Sequence, residues 1–318
     1  MPVMSASASD AEASFSRDRP RKIIFQTDWY PQAEHGGFYQ ASVKGFYREA
    51  GLDVTLVPGG PGAGATQRVA RGEADVGMGR SDTVMLATVN QGLPLLLIAA
   101  ITQHDYEALL VHEASPIRSF ADLEGRTIIA SPGQPWIPFL QKKLKITFAL
   151  TTAKGGLDAF LADPSAVQQC IYTNEPFTAR QHGAHVRILP IASAGYDVYT
   201  ALFCRRDFAE HNPAATRAFV AASLRGWRDY LENDPNSAFA EILRLNPKLS
   251  RELLIFSRDE MIRHHVTAGE SQKGESLGRL SPSRLHEQIT ALTELKILTS
   301  LIAPEAIASW DYLPAEAK

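Results

Sequence analysis

The chain has 318 residues, 45% of them hydrophobic and 21% charged, and 32 Lys and Arg against 35 Asp and Glu leave a formal net charge of −3. That length suffices for one large core or two medium ones and suggests about two domains, while the near-neutral balance excludes nucleic acid as main partner, since phosphate binding leaves a basic face. Two cysteines, Cys170 and Cys204, exclude a disulfide framework or a cysteine-rich metal centre, and the longest apolar run, residues 93–102, contains Pro94 and falls short of a membrane span.

Residues 1–20 are rich in Ser, Ala and acids. They lack the apolar core of a secretory signal and read as a flexible tail, which leaves two readings open: a protein that stays inside the cell, or a numbered chain without its export signal. From Lys22 onward, short apolar runs alternate with helical patterns. KIIFQT predicts a strand, and residues 38–50 a helix that stops at Gly51. LDVTLVP predicts the second strand, followed by the loop GGPGAG and a helix over residues 65–71. ADVGMG predicts a third, after which Ser81 or Asp82 is placed to cap a helix ending near Asn90. LPLLLIAAI is the fourth. Strands separated by crossover helices imply an α/β fold on a largely parallel sheet.

The pattern then restarts with EALLV and TIIAS, a helix over residues 135–143, and the strands KITFAL, QQCIYT and VRILPI. TALFCRR closes this part. Beyond Asp207 the chain is predicted almost wholly helical, over residues 213–232, 237–245, 251–265 and 282–293. EALLV and TALFCRR each follow a polar, aromatic stretch, QHDY and YDVY, at a change in organisation. Two such strands bracketing about a hundred residues suit a domain inserted into another. The expected division is therefore residues 21–102 plus 200–318 as one lobe and 103–199 as the other, with a ligand held in the cleft between them.

The segment from Asp28 to Gly37 follows the first strand and opens the first helix, where α/β sheets place their ligands. Trp29 and Tyr30 offer flat faces, Asp28 and Glu34 acceptors, and His35 a titratable ring. This mix suits a small planar heterocycle held by stacking and a few hydrogen bonds. Gly60, Gly62 and Ala65 match a dinucleotide-binding spacing. Yet this loop follows the second strand, and Pro61 removes a donor within it; free N–H groups around Gly62 facing a polar ligand edge, or a plain glycine turn, are the two remaining readings. Ser81 and Asp82 occupy the next strand-to-helix turn. In the second lobe the matching turns carry Ser131 with Trp136, and Glu175, the indole to stack and the carboxylate to accept. Tyr196 stands at the return crossing. No metal-ligand, nucleophile-elbow or phosphate-loop motif is present, so neither a metal nor a cofactor is expected. A sulfonate or nitrate binder would require a cation in the pocket, for which Arg80 is the obvious candidate; the near-neutral balance fits a neutral ligand better.

The run DWYPQAEHGGFYQASVKGFYREAGLDVTLVPGG, with RGEADVGMG, FADLEGRTIIASPG and the long segment RRDFAEHNPAATRAFVAASLRGWRDYLENDP, resembles the solute-binding proteins of ABC importers, in the branch that binds thiamine-pyrimidine precursors. The resemblance implies a two-lobe fold of the type II periplasmic-binding-protein kind, with two hinge strands and a helical C-terminal part. It implies a monomer located outside the cytoplasm, delivering a small heteroaromatic ligand, an aminopyrimidine, to a membrane-embedded permease. By position it would place Trp29, Tyr30, His35, Ser81, Asp82, Ser131, Trp136 and Glu175 about the ligand; with Asp28, Gly62 and Tyr196 from the reading of the turns, these are the expected ligand-binding residues, none of them catalytic. Related proteins bind sulfonates, taurine, nitrate or riboflavin. A eukaryotic branch synthesises the thiamine pyrimidine by consuming its own histidine and pyridoxal phosphate. It carries a cysteine-rich segment where this chain has Cys204 alone, and its histidine falls near Thr83 here.

Overall fold

The computed structural model describes residues 15–152 and 156–317; the first fourteen residues of the expected tail lie outside them. Phe15 packs against the core beside Gly51, whereas residues 16–20 are exposed. Among the described residues, ten strands form two five-stranded sheets. The first contains β1 (Arg21–Gln26), β2 (Leu52–Val57), β3 (Val76–Arg80), β4 (Leu95–Thr102) and the late strand β10 (Thr200–Arg205). The second contains β5 (Glu107–His112), β6 (Thr127–Ile129), β7 (Ala149–Thr151), β8 (Val167–Ile171) and β9 (Val186–Pro190).

The sheet orders are β2-β1-β3-β10-β4 and β7-β6-β8-β5-β9. In each, three parallel strands are followed by one antiparallel strand in fourth place. That fourth strand is the one that arrives from the other sheet. The chain passes to the second sheet between Thr102 and Glu107 and returns between Pro190 and Thr200. Both sheets are therefore mixed but largely parallel, as expected: four strands of each run one way, and the one entering from outside the βαβ series, with no crossover helix to turn it parallel, runs against them. β4 is buried along its whole length and β10 through Cys204. Burial on both faces explains why these strands read as continuous apolar runs.

The first predicted helix divides into Gly36–Val43 and Phe46–Glu49, because Gly45 between them takes φ +76°. Helix Gly36–Val43 lies against the 20-residue helix Pro213–Glu232, which starts on a proline, a residue suited to a first helical position. Their approach depends on small residues. A Cβ at Gly37 would stand 2.2 Å from the Trp227 ring, and one at Gly226 2.3 Å from the Gly37 carbonyl oxygen. Phe25, Phe38, Phe219 and Trp227 fill the contact, with edge-on ring pairs at 4.7 to 5.6 Å. Each buried ring contributes about 2–3 kcal/mol of transfer free energy, so the backbone that follows the Asp28 loop sits on a rigid base. Among the described residues no helix is long and apolar enough to cross a membrane.

Candidate functional site

A cleft of about 550 Å³ opens where the two sheets face one another. Such a volume falls within the range of small-molecule sites. One wall is the loop after β1. There Thr27 Oγ1 donates to the Trp29 carbonyl (3.1 Å), and the Gly59 N–H donates to that carbonyl (3.0 Å) and to Thr27 Oγ1 (3.1 Å). Gly59 must lack a side chain, since a Cβ would meet the Asp28 backbone at 2.4 Å. This locks Asp28 and Trp29 at the cleft. His35, itself buried, holds Asp28 through a 2.9 Å contact from Nε2 to Oδ1. Trp29 is 44% exposed and Tyr30 50%, their rings 5.6 Å apart and edge-on. Large aromatic faces left in water at a cleft mouth are unusual for a surface with only structural duties.

The floor is built around Arg80, at the end of β3. Its guanidinium donates twice to Asp105 (3.0 and 2.8 Å), lies 3.0 Å from Glu107 Oε2, and approaches Asp82 at 3.5 Å. Asp105 stands in the first crossing and Glu107 begins β5, so this cluster ties β3 to the crossing. Burial pushes the Asp105 carboxyl up to about 7 despite Arg80 beside it. Glu107 Oε1 accepts from the Trp136 indole N–H (3.1 Å) and from the Gln169 amide. The far wall comes from the second sheet and includes Ser131, Gln169, Cys170, Asn174 and Glu175. Gln169 also accepts from the Ser131 N–H at 2.8 Å. Glu175 accepts from the Ile171 N–H at 2.7 Å, and burial raises its carboxyl to about 7. The two walls meet where Thr173 Oγ1 donates to the buried Glu34, whose carboxyl burial also raises. Ser257, from helix Arg251–Arg263, donates to the Thr173 carbonyl at 2.6 Å.

Of the residues singled out in the sequence, the structure gathers Asp28, Trp29, Ser131 and Glu175 on the cleft lining. His35 stands directly behind Asp28, and Tyr30 lies beside Trp29 with its ring over Gly60. Gly62 is exposed, its α-carbon facing open space. Trp136 does not reach the cleft: it is fully buried, and its one donor is taken by Glu107. Ser81 and Asp82 are buried rather than capping. Ser81 Oγ donates to Gln288 and receives the Tyr199 N–H, and Asp82 accepts from the Tyr196 hydroxyl at 2.7 Å. Tyr196 lines a second cavity, of about 360 Å³, behind the crossings. Thr83 is exposed at the start of the helix Ser81–Val89. Sequence reasoning missed Asp105, Glu107 and Gln169. The signal was present in part, since QHDY immediately precedes EALLV, but their partner Arg80 lies 25 residues from Asp105.

A family model described as NMT1/THI5 like matches residues 32–238. The chain belongs to the NMT1/THI5-like family. Among relatives of that family, the 4-amino-5-hydroxymethyl-2-methylpyrimidine phosphate synthase THI13 of Saccharomyces cerevisiae is 25% identical over 254 residues, 73% of each chain. The formylaminopyrimidine-binding protein of Halalkalibacterium halodurans is 26% identical over 254 residues, 74% of this chain and 72% of its own. Among solved structures, the periplasmic aliphatic sulphonate binding protein SsuA of Escherichia coli superimposes with a TM-score of 0.68 at 15% identity, covering 90% of this chain and 91% of its own. The fold is thus the two-sheet periplasmic-binding-protein fold with a helical C-terminal part, as the sequence resemblance implied.

Proposed function

We propose that this NMT1/THI5-like protein is the solute-binding component of an ABC import system and captures a thiamine-related aminopyrimidine in the cleft between its two sheets. The observation that carries this reading is the pairing of an exposed Trp29 face with carboxylates on one cleft lining. A pyrimidine ring takes the face, and its exocyclic amine takes the acceptors Asp28 and Glu175. Formylaminopyrimidine binding by a relative of similar coverage supports the ligand class. In this reading the units on either side of the crossings, 21–102 with 200–318 and 103–199, are lobes that close on the ligand by bending at the crossings. The protein then acts outside the cytoplasm as a monomer and hands its cargo to a membrane permease.

A second reading, favoured by the names of the fungal relatives, is a pyrimidine synthase. Against it, Cys204 is a buried strand residue of β10, and a threonine, Thr83, exposed and not on the cleft lining, stands where the synthase branch has its histidine. A thermal-shift panel of aminopyrimidines, riboflavin, alkanesulfonates and nitrate separates the ligands. A true ligand at a hundredfold over its dissociation constant stabilises the protein by about 2.7 kcal/mol. The expected result is a shift with aminopyrimidines; a shift only with sulfonate, nitrate or flavin defeats the assignment. Intact-mass analysis after incubation with pyridoxal phosphate and iron is expected to leave the chain unchanged, and loss of a histidine fragment would establish the synthase.

A further inference from the structure

We infer that the cleft takes its ligand as a cation, with Glu175 and the Asp105–Arg80–Glu107 cluster as the groups that set this charge preference. The inference rests on the aminopyrimidine reading and deepens it, from a neutral heterocycle to one that carries a positive charge when bound.

Asp28, Glu107 and Glu175 line the cleft, and Glu34, Asp82 and Asp105 stand immediately behind it. Among the described lining residues Arg80 is the sole Lys or Arg. Its guanidinium is already taken, bidentately by Asp105 and at 3.0 Å by Glu107. A bidentate carboxylate satisfies the planar fork that an incoming sulfonate would need. Arg80 is therefore masked as an anion receptor, although its position on the lining would otherwise suit one.

Asp28 has His35 and Asp82 lies 3.5 Å from Arg80, whereas Glu175 is held by the Ile171 N–H and Glu34 by the Thr173 hydroxyl, both neutral donors. Buried negative charge that neutral groups alone satisfy is costly unless a cation arrives. Burial raises the Glu34, Asp105 and Glu175 carboxyls, because desolvation disfavours their charged form, and a cation brought beside them opposes that shift. A ligand with an amidine-like or protonated ring nitrogen supplies the missing charge, and the flat face of Trp29 favours that same ligand through its quadrupole.

Three para-substituted aromatic amines test the inference: 4-amino-1-methylpyridinium (permanent cation), its near-isostere para-toluidine (neutral at pH 7.5) and the bulkier 4-aminobenzenesulfonate (anion). Calorimetric titration of the whole chain is expected to give the cation at least about tenfold tighter binding than toluidine, a difference of about 1.4 kcal/mol, with the sulfonate weakest. Glu175→Gln is expected to shrink the cation's advantage over toluidine several-fold. A cation that binds no tighter than toluidine, or not at all, overturns the inference, as does a sulfonate that binds tightest. The ordering on the unaltered protein decides the matter even if the variant fails to fold. Because the aminopyrimidine panel reads ligand class rather than probe charge, the two readings fail on different results.

Discussion

The two cavities flanking the crossings use similar residues to opposite ends. Behind them, His104 in the first crossing lies 2.8 Å from Asp197 in the second and 3.0 Å from Glu275, while Arg284 lies 3.0 Å from Asp197 and Lys273 2.6 Å from Glu270. Each of three positive partners contacts a carboxylate there, with Glu287 a further acid on the lining, and the network joins both crossings to the C-terminal part. In front, six carboxylates gather about one guanidinium and one imidazole, with aromatic faces exposed at the mouth. Charge that is balanced in place is architecture; charge left unbalanced beside an open cavity is an invitation to a ligand. Burial alone would not separate the two, because both are partly buried and both are lined by titratable groups.

Arg80→Met breaks the front most severely. It leaves Asp105, Glu107 and Asp82 without their shared cation, and removing one partner of a buried charge cluster costs about 3–5 kcal/mol. Urea unfolding of the ligand-free protein measures this. At about pH 8.5, above the value of about 7 to which burial raises Asp105, a loss below about 1 kcal/mol would contradict the role of Arg80 as the shared cation.

Smaller and opposite in location is the effect of His104→Gln. It is expected to cost about 1 kcal/mol, the net worth of an ordinary hydrogen bond, and to leave ligand affinity unchanged. The Asp197 hydrogen bond raises the imidazole's affinity for its proton, with Asp197 and Glu275 favouring its charge and Arg284 opposing it. A folded-state value above the unfolded one means that this stabilisation is fully present below about pH 6.5 and is lost as pH rises through the folded value. The front has its own window. Asp105 and Glu175 stay protonated in the folded state up to about 7, whereas the unfolded chain releases those protons near pH 4, so stability declines between about pH 4 and 7. Stability measured against pH should therefore show two falling segments. His104→Gln removes the upper one and spares the lower; a profile rising from pH 4 to 7 would contradict the account of the front.

Much of this organisation was legible in the sequence. The likeness of EALLV to TALFCRR marked the two strands that enter fourth place in their sheets, because both are buried on both faces and both follow a polar crossing. The Asp28–Trp29 loop was legible because it follows a strand and opens a helix. Trp136 was not: an indole after a glycine turn looks like a stacking group until Glu107, 29 residues away in sequence, is seen to take its N–H. Arg80 misled in the same manner, since nothing near it announces that Asp105 and Glu107 will occupy its guanidinium. Pairings across a sheet or a crossing belong to tertiary structure, and local pattern carries no trace of them.

The central claim is that the front cavity holds an aminopyrimidine against Trp29. Calorimetric titration of 4-amino-5-hydroxymethyl-2-methylpyrimidine into the unaltered protein and into Trp29→Ala tests it directly. Since Trp29 is 44% exposed, its removal should change folding stability by no more than about 0.5 kcal/mol. The account predicts one site on the unaltered protein and a loss of about 1–3 kcal/mol in binding on the variant, from stacking and lost apolar contact. Absence of binding to the unaltered protein, or equal affinity in both, would contradict it.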